Sequence, residues 1–332
     1  QRRIDRVVSA FRSREPSSGD NQVGQETVSV KPIDDSAQYA PSGSVVAIGM
    51  FDGVHRGHRR VLDHLRELGL RHGLPTVVLT FDPHPRAFLN PQTAPKLLCK
   101  LDDRIALLAA TKAVDQCLVL PFDLGRSKES VDDFVLGTLV DRLGTRALVV
   151  GEDFACGHAR RGNVDCLRKL GKEFGFDVHA LPLRTDTDPV TLPHFSSTET
   201  RRVIQEGDLK RASLILGRPY ELVGRVVACA RDCARSGEAE LPHEMCAPPA
   251  GTYVGAVRHE RQGSPWIPAA LLVSEARFMR RRTVRFVADG AIDSSTQTEL
   301  RVRFLSKESS APEPRRGLYS SGAEHATTAM AA

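Results

Sequence analysis

The stretch Val45-Val-Ala-Ile-Gly-Met-Phe-Asp-Gly-Val-His-Arg-Gly-His58 decides the fold of the chain. Its first five residues form a short, wholly apolar run, which is typical of a strand buried in a parallel sheet. Two glycines and two histidines follow, and then comes a helical pattern with Val61, Leu62, Leu65 and Leu68 on one face. The sequence therefore predicts a strand, a glycine-containing turn and a helix, which is the repeating unit of an α/β sheet.

The same alternation of short apolar runs and helical patterns continues beyond this unit. Further strands are predicted at residues 75–81, 117–120, 147–150 and 177–181. Helices are predicted at residues 58–71, 102–110, 130–143 and 163–174. Asp102 is a candidate N-cap, and Ser130 with Asp133 has the spacing of a capping box. We expect an open parallel sheet covered on both faces, with ligands bound beyond the carboxyl ends of its strands.

The pattern changes after Gly217 to short β-rich runs separated by Pro and Gly. These runs are residues 222–230, 251–259, 270–274, 283–287 and 300–305. They predict a small antiparallel barrel or sandwich. The polar ends of the chain lack periodicity, which favours disorder. The expected division is a disordered extension at 1–43, an α/β domain at 44–219, a β domain at 220–305 and a disordered tail at 306–332.

The composition is that of an ordinary globular chain. It has 332 residues and a formal net charge of +5, a mild excess that suits anionic small ligands without requiring nucleic acid. The seven cysteines include no Cys-x-x-Cys pair, so we expect free thiols and a cytoplasmic location. No apolar run reaches the roughly 20 residues of a membrane helix, and no signal sequence is recognisable. Neither a membrane nor a nucleic-acid partner is expected, and the oligomeric state stays open.

The two histidines of the opening stretch are candidate catalytic residues. His55 and His58 lie three residues apart at the predicted start of a helix, so both can face one ligand. A helix N-terminus favours phosphate, and Gly57 lets the backbone approach it closely. Imidazole N–H groups can stabilise charge on a polyphosphate during transfer. Two ordinary surface histidines are the alternative, but the preceding strand and Phe-Asp-Gly-Val favour catalysis.

A second motif, Phe195-Ser-Ser-Thr-Glu-Thr-Arg201, precedes another helical stretch. Ser196 and Glu199 have the spacing of a capping box, which is the purely structural interpretation. Hydroxyl groups at a helix start and an arginine in its opening turns also form a phosphate clamp. We expect this clamp to lie opposite the histidine pair and to hold a leaving pyrophosphate.

In this order the two motifs resemble the HxGH and ISSTxxR motifs of the nucleotidylyltransferase superfamily. Residues 49–58, the Thr-Phe-Asp-Pro-His-Pro stretch at 80–85, residues 150–154 and residues 207–220 narrow the match. Together they look like the adenylyltransferase module of the bacterial bifunctional riboflavin kinase/FAD synthetase family. The resemblance covers about Val45 to Tyr220. It implies an α/β fold with a Rossmann-like parallel-sheet nucleotidyltransferase domain, followed by a small antiparallel β-barrel.

The resemblance also implies substrates and residue roles. The family makes FAD from ATP and FMN with Mg²⁺. The catalytic positions implied are His55, His58 and Arg201. The implied ATP-binding positions are Gly49, Phe51, Gly57, Ser197 and Thr198. The implied FMN-binding positions are His84 and Asp153. The alternative for His84 is a turn histidine held between two prolines. No protein side chain is expected to bind a metal ion.

Several positions depart from the family pattern. Cys156 stands where the family usually has an aromatic residue, and Phe195 and Thr200 stand where it has isoleucine. Residues 224–237 lack the Pro-Thr-Ala-Asn element of the family's kinase loop. Thr283 stands at the place of the kinase's catalytic glutamate, unless Glu275 or Glu299 is the true base. We therefore expect an FMN adenylyltransferase whose riboflavin kinase activity is lost.

Two other functions stay open at this stage. The enzyme could adenylylate a modified flavin or another phosphorylated acceptor, because the departures affect the flavin side more than the phosphate side. A flavin-binding regulator without catalysis is the third interpretation. The presence of His55, His58, Ser197, Thr198 and Arg201 together argues against it.

Overall fold

The computed structural model describes residues 31–32, 42–182, 195–229, 235–261, 263–276, 281–292 and 298–308. Most of the predicted extension and tail, namely residues 1–30, 33–41 and 309–332, lies outside the described residues. The same is true of residues 230–234 in the predicted kinase-loop region. In the part of the chain that is described, no helix is long and apolar enough to cross a membrane.

The first domain is built on a six-stranded sheet in which every neighbouring pair is parallel. Its strands, and a two-stranded hairpin beside it, are β1 (Lys31–Pro32), β2 (Ser44–Ile48), β3 (Thr76–Asp82), β4 (Gln116–Pro121), β5 (Thr145–Gly151), β6 (Ala155–Cys156), β7 (Gly162–Asn163) and β8 (Asp177–Leu181). The sheet order is β1-β4-β3-β2-β5-β8, and β6 pairs with β7. The five strands predicted for this domain are confirmed.

Strand β2 lies where the strand order of the sheet reverses, which is where a ligand site is expected. All five of its residues are buried, as the apolar run predicts. The chain proceeds from β2 outward to β3 and β4, then returns to place β5 on the other side of β2. Such a reversal opens a crevice beyond the carboxyl end of the strand, where α/β sheets bind ligands. The turn that carries the two histidines leaves the sheet at this crevice.

Helices connect the strands of this domain, and two more follow its last strand. They are α1 (Arg56–His72), α2 (Pro85–Leu89), α3 (Leu101–Ala109), α4 (Leu124–Lys128), α5 (Val131–Asp133), α6 (Val164–Phe174), α7 (Ser197–Glu206) and α8 (Leu209–Leu216). Short 3₁₀ turns occur at Pro91–Thr93 and His158–Arg160. One hydrophobic cluster includes side chains of α1 and α3, and a second includes side chains of α6. The sheet is therefore packed by apolar side chains from helices, as expected.

Two details of the helices differ from the sequence predictions. Asp102 is not an N-cap: α3 begins at Leu101 after Lys100, and Asp102 lies in the first turn, where its charge still complements the helix dipole. The helix predicted from Ser130 is present, and Ser130 Oγ accepts a hydrogen bond from the Asp133 N–H at 3.0 Å. Beyond Asp133 it winds as a π-helix through Phe134–Arg142, which apolar spacing alone does not distinguish from an α-helix.

Part of the predicted disordered extension is a strand. Lys31 and Pro32 pair in parallel with Gln116 and Cys117 of β4. The composition around them gives no sign of this, because two residues are too few to show an alternating pattern. Proline is tolerated here because β1 is an edge strand, whose outer side needs no hydrogen-bond donor.

The second domain is a closed six-stranded antiparallel barrel, so the sandwich alternative is wrong. Its strands are β9 (Tyr220–Cys229), β10 (Ser236–Leu241), β11 (Gly251–His259), β12 (Ile267–Ala276), β13 (Arg281–Ala288) and β14 (Glu299–Lys307). The sequence did not predict β10, whose segment Ser-Gly-Glu-Ala-Glu-Leu has no β-branched residue; only Ala239 and Leu241 of it are buried. The last strand runs to Lys307, two residues past the predicted end of the barrel.

The barrel packs against the segment that links the sheet to α3. The Leu97 N–H donates to Glu244 O at 2.8 Å, and the Cys246 N–H donates to Leu97 O at 2.8 Å. Leu98 is part of the barrel's own hydrophobic core. Arg301 of β14 forms an ion pair with Asp103 of α3. These contacts hold the two domains together beside the crevice at β2.

Candidate active site

His55 begins helix α1 and also faces His58. It is the N-cap residue, and its Nδ1 accepts a hydrogen bond from the His58 N–H at 3.2 Å. Because Nδ1 acts as the acceptor, the proton of a neutral His55 ring lies on Nε2. The two rings are stacked, with centroids 3.6 Å apart and planes inclined by 19°. His55 is thus an oriented N–H donor, held by the helix that it caps.

His58 has an unused nitrogen inside the site. Its Nδ1 is buried, and no group in the described residues forms a hydrogen bond with it. Buried polar atoms without a partner are rare and commonly mark places where a ligand or water binds. The Phe51 ring also packs against the His58 ring, and the two ring centroids are 5.2 Å apart.

The turn between β2 and α1 is strained and is held from outside. Phe51 and Val54 have positive φ angles of 48° and 38°, which non-glycine residues rarely adopt. Gly53, at φ 78°, occupies the third such position. Arg218 supports the turn by donating from Nη2 to Gly53 O at 2.7 Å. Strain of this kind persists only when the surroundings enforce it, and it occurs preferentially at functional sites.

The second motif meets the first at the start of helix α7. Ser196 is the N-cap, and its Oγ accepts from the Glu199 N–H at 3.1 Å, as the capping box predicted. Ser197 Oγ donates to Asp52 O at 3.1 Å. A Cβ atom at Gly57 would lie 2.6 Å from Phe195 O, so only glycine permits this approach. The N-termini of α1 and α7 therefore lie side by side.

Arg201 is engaged by a buried carboxylate. Its Nη2 donates to Asp52 Oδ2 at 2.6 Å, and its Nε donates to Lys96 O at 2.6 Å. Asp52 is almost fully buried, at 1% exposure, and also accepts hydrogen bonds from the N–H groups of Leu98 and Cys99. This carboxylate therefore fixes the guanidinium and the segment before α3 in one arrangement.

His84 caps helix α2 at the carboxyl end of β3. Its Nδ1 accepts from the Arg86 N–H at 3.1 Å, which leaves the Nε2 side for a ligand. Burial lowers the pKa of His84 to about 4, and the positive charge of Arg201 contributes to this decrease. The ring is therefore neutral near pH 7, with its proton on Nε2. By capping α2, His84 fills the structural role that was the alternative to ligand binding. The cap uses Nδ1, so the two roles are compatible.

Three aromatic rings form a cluster around the β3–α2 turn that carries His84. Phe81 and Phe122 meet edge to face with centroids 6.0 Å apart, and Phe88 meets Phe122 at the same distance. Phe88 of α2 is 39% exposed, although it is a large apolar side chain. This cluster, in which Phe88 is exposed and Phe81 and Phe122 are half-buried, lies at the carboxyl ends of β3 and β4 and suits a planar ligand.

The remaining predicted residues differ in their surroundings. A Cβ atom at Gly49 would lie 3.1 Å from the Phe51 ring, so this glycine makes room for that ring. The side chain of Thr198 is exposed at the start of α7. Asp153 is exposed in the turn after β5, the strand next to β2 in the sheet order, and its backbone oxygen accepts a hydrogen bond from Arg160 Nη2 at 3.2 Å. Gly49 and Phe51 therefore adjoin the histidine pair, whereas Thr198 lies at the start of α7 and Asp153 on the loop after β5.

Burial, together with the cationic surroundings, keeps His58 uncharged near neutral pH. Burial lowers the pKa of His58 well below its ordinary value of 6.5, and His55 and the nearby arginines 104, 201 and 218 lower it further. A neutral imidazole still donates from one nitrogen. His58 therefore contributes a hydrogen bond to this site and no positive charge, and the nearby arginines contribute positive charge.

Folding stability should fall in mild acid because of these histidines. The pKa values of His58 and His84 are lower in the folded protein than in the unfolded chain, so the unfolded chain binds more protons below pH 6.5. Stability is therefore complete above pH 6.5 and decreases as the pH falls below it, by at most about 1.4 kcal/mol per pH unit for each histidine. Thermal unfolding at pH 7.5 and 5.5 measures this. A variant carrying His58→Gln and His84→Gln should show a weaker dependence, and an equal dependence would contradict the assignment.

Three supporting residues were not predicted from the sequence. Asp52 lies in the quoted Phe-Asp-Gly-Val stretch and Arg218 in the Leu-Gly-Arg-Pro-Tyr stretch, so their motifs were visible without their roles. Arg104 is fully buried in α3. The only signal for it is its helical spacing from Leu101, Ile105 and Leu108, which puts a charged residue on an apolar face.

Comparison with known proteins gives a specific result for the first domain. A family model described as FAD synthetase matches residues 37–191. The bifunctional riboflavin kinase/FMN adenylyltransferase of Pseudomonas fluorescens is 40% identical over 185 residues, which is 56% of this chain and 58% of that protein. The protein of the same name from Escherichia coli strain K12 is 35% identical over 198 residues, which is 60% of this chain and 62% of that protein. The matched stretch thus spans less than two thirds of these relatives.

One solved structure resembles both domains. It is described as a macrolide-efflux protein from Streptococcus pneumoniae, with a TM-score of 0.69 and 24% sequence identity. The match covers 84% of this chain and 90% of that one. At this identity the likeness concerns the fold alone, and it shows that a sheet domain followed by a barrel occurs in another protein.

Proposed function

We propose that the chain transfers AMP from ATP to FMN, giving FAD and pyrophosphate, because residues 37–191 match the FAD synthetase family model and proteins named bifunctional riboflavin kinase/FMN adenylyltransferase are 35–40% identical over this region. The observation that carries the proposal is the meeting of two helix N-termini at the carboxyl end of β2. Ser197 of α7 bonds to Asp52 O, and Gly57 of α1 lies against Phe195 O. Two helix N-termini directed at one space suit a polyphosphate better than a neutral ligand.

The reaction needs no nucleophile from the protein. An oxygen of the FMN phosphate attacks the α-phosphorus of ATP, a new P–O bond forms, and the bond to the β-phosphate oxygen breaks. Pyrophosphate leaves with that electron pair. The attacking phosphate is already anionic near pH 7, so catalysis consists of positioning and charge stabilisation.

The histidine pair would stabilise charge on the reacting phosphates. His55 offers Nε2–H, because its Nδ1 is used by the helix cap. His58 offers a nitrogen without a partner in the described residues. Neutral donors fixed before the reaction stabilise developing negative charge without reorganising.

The clamp residues would act on the leaving pyrophosphate. Two nitrogens of Arg201, Nε and Nη2, are held by Lys96 O and Asp52. Within the described residues this leaves Nη1 for a phosphate oxygen, in a direction fixed by the other two bonds. Thr198 offers an exposed hydroxyl at the α7 N-terminus. Ser197 positions the turn through Asp52 O, so its contribution to ATP binding would be indirect.

FMN would lie beyond β3 and β4. The Phe81, Phe88 and Phe122 rings provide an apolar wall for the flavin, and the Nε2 side of His84 can meet its phosphate. Mg²⁺ would enter with ATP, bound by phosphate oxygens and water. No group of three or more His, Cys, Asp or Glu side chains in the described ranges could hold a metal ion. The five described free thiols fit a reaction in the cytoplasm.

The proposal is tested by identifying the product. The full chain is incubated with Mg²⁺, each of the four nucleoside triphosphates, and FMN, riboflavin or a 5′-phosphorylated flavin analogue. Product masses are read by chromatography coupled to mass spectrometry. We expect FAD from ATP and FMN, with the His55→Ala variant as the matched inactive control. Product from another phosphorylated acceptor but not from FMN would favour the alternative enzyme, and flavin binding without any product would favour the regulator.

The barrel is expected to lack riboflavin kinase activity. Thr283, at the place of the kinase's catalytic base, lies across from Glu240 and Ser274 in β10 and β12. The two alternative bases are exposed and form ion pairs: Glu275 with Arg282 at 3.9 Å and Glu299 with Lys100 at 3.3 Å. Losing a general base costs about 10²–10⁴ in rate.

An assay with riboflavin, ATP and Mg²⁺ but no FMN checks this expectation. We expect no FMN or FAD above a control without enzyme. Appearance of FMN would contradict the proposal. Variants with Glu240→Gln, Glu275→Gln and Glu299→Gln would then identify the base.

A further inference from the structure

Within the described residues, Arg104 is a buried cation that forms no ion pair, and it lies in the core beside the proposed phosphate site. Its side chain is completely buried, at 0% exposure. Nη1 donates hydrogen bonds to Thr80 Oγ1 at 3.2 Å and to Phe81 O at 3.0 Å. Nε and Nη2 have none in the described part of the chain. A buried charge is costly unless a partner compensates it, so a guanidinium bound to no described carboxylate requires an explanation.

Hydrogen bonds connect Arg104 to the strained turn. Thr80 Oγ1 donates to Met50 O at 3.2 Å. Since Arg104 supplies a proton to the same hydroxyl, the hydroxyl's own proton is directed at Met50 O. Met50 directly precedes Phe51, which has positive φ. The guanidinium thus acts through Thr80 on the backbone that leads to the His55–His58 helix.

The charge of Arg104 also reaches the site. Burial is the main cause that lowers the pKa of His58 and of His84, and the charge of Arg104 lowers both further. The nearby Asp52 carboxylate is already engaged by Arg201. An anionic ligand in the crevice would therefore meet a positive charge that no described carboxylate has neutralised.

We propose that Arg104 is a positioning residue for the polyphosphate of the nucleotide, holding the Met50 turn through Thr80 and supplying an uncompensated positive charge behind it. This rests on the proposed function only in that the ligand is a polyphosphate; it does not depend on which acceptor is used. A purely structural role, joining α3 to the end of β3, would affect stability but not phosphate affinity selectively.

The test distinguishes the effect of the Arg104 charge from the effect of its side-chain shape. Arg104→Gln keeps amide donors for Thr80 and Phe81 but loses the charge, Arg104→Met loses both, and Arg104→Lys keeps the charge. The dissociation constants of magnesium pyrophosphate and ATP are measured by calorimetry without FMN, beside thermal unfolding. We expect both neutral variants to bind at least about tenfold more weakly, as expected for one charge acting through an effective dielectric of about 20. Arg104→Lys should stay within about threefold of the wild type.

A second readout does not depend on binding. The His58 imidazole is titrated by NMR in wild type and Arg104→Gln, and its midpoint should rise in the variant because a neighbouring positive charge is gone. Unchanged pyrophosphate affinity in a folded Arg104→Gln protein would overturn the proposal, as would equal losses in the Lys and Gln variants. If Arg104→Met does not fold, the Gln and Lys pair decides.

These outcomes separate the inference from the proposed function. Charge-dependent pyrophosphate binding in a wild type that makes no FAD would support the role of Arg104 and reject the acceptor. FAD formation with affinity independent of Arg104 would reject only the inference. A wild type that binds neither pyrophosphate nor ATP would reject both.

Discussion

Replacing His58 by alanine should lower the rate of FAD formation by about 10²–10³-fold while leaving the fold in place. The loss is expected because the ring offers the reacting phosphates a nitrogen that no other group in the described residues uses. The fold should survive because no hydrogen bond to Nδ1 within the described residues is broken. Initial rates at saturating ATP and FMN, measured with thermal unfolding of the same sample, give both quantities.

His55 needs a matched pair of variants because it also caps α1. His55→Ala removes the ring and the cap, whereas His55→Asn removes the ring but keeps a side-chain acceptor suited to an N-cap. Both should lose activity to a similar extent, and only the alanine variant should lose about 0.5–2 kcal/mol of stability. Near wild-type turnover in the His58→Ala and His55→Asn proteins would remove the histidine pair from the mechanism.

Replacing Asp52 by alanine should destabilise the protein by about 3–5 kcal/mol, the usual cost of breaking a buried ion pair. The carboxylate is 1% exposed and bonds to Arg201 and to the N–H groups of Leu98 and Cys99. Its removal leaves a guanidinium and two backbone donors without their partner. Chemical denaturation measures the free energy of unfolding.

A double-mutant cycle measures the coupling energy between Asp52 and Arg201 apart from the contacts that each makes with other groups. Asp52→Asn keeps an acceptor for the backbone N–H groups but leaves Arg201 uncompensated, and Arg201→Met removes the cation. We expect the combined variant to be more stable than the sum of the single losses predicts, since neither charge is then left alone. Additive losses would mean that Asp52 and Arg201 are not energetically coupled, and an Asp52→Ala protein within about 0.5 kcal/mol of wild type would contradict the assignment.

The strand and helix pattern of the first domain was predictable because it is local. The apolar run at Val45 and the face formed by Val61, Leu62 and Leu65 carry periodicities that any single sequence displays. Both motifs proposed to bind phosphate could be located for the same reason, as each lies at a strand end or helix start. The strand β1 and the strand β10 were missed because their pairing partners, and not their own patterns, make them strands.

The interior of the site was less predictable because it depends on contacts between residues that are far apart in the sequence. Asp52 and Arg201 are 149 positions apart and meet only because Gly57 lets the two helix starts approach. The sequence assigned Arg201 to phosphate without its carboxylate partner. Arg104 occupies an apolar helix position, and periodicity predicts that such a position is buried but not which contacts it makes.

The fate of each ATP phosphate tests the central claim most directly. The full chain is incubated with FMN, Mg²⁺ and ATP labelled either at the α- or at the γ-phosphate, and the flavin products are separated by chromatography. We predict that the α-label moves into the flavin as FAD and that the γ-label is recovered in pyrophosphate, in equal amounts. Label from the γ-phosphate in a flavin, or α-label that never leaves the adenine nucleotides, would contradict adenylyl transfer.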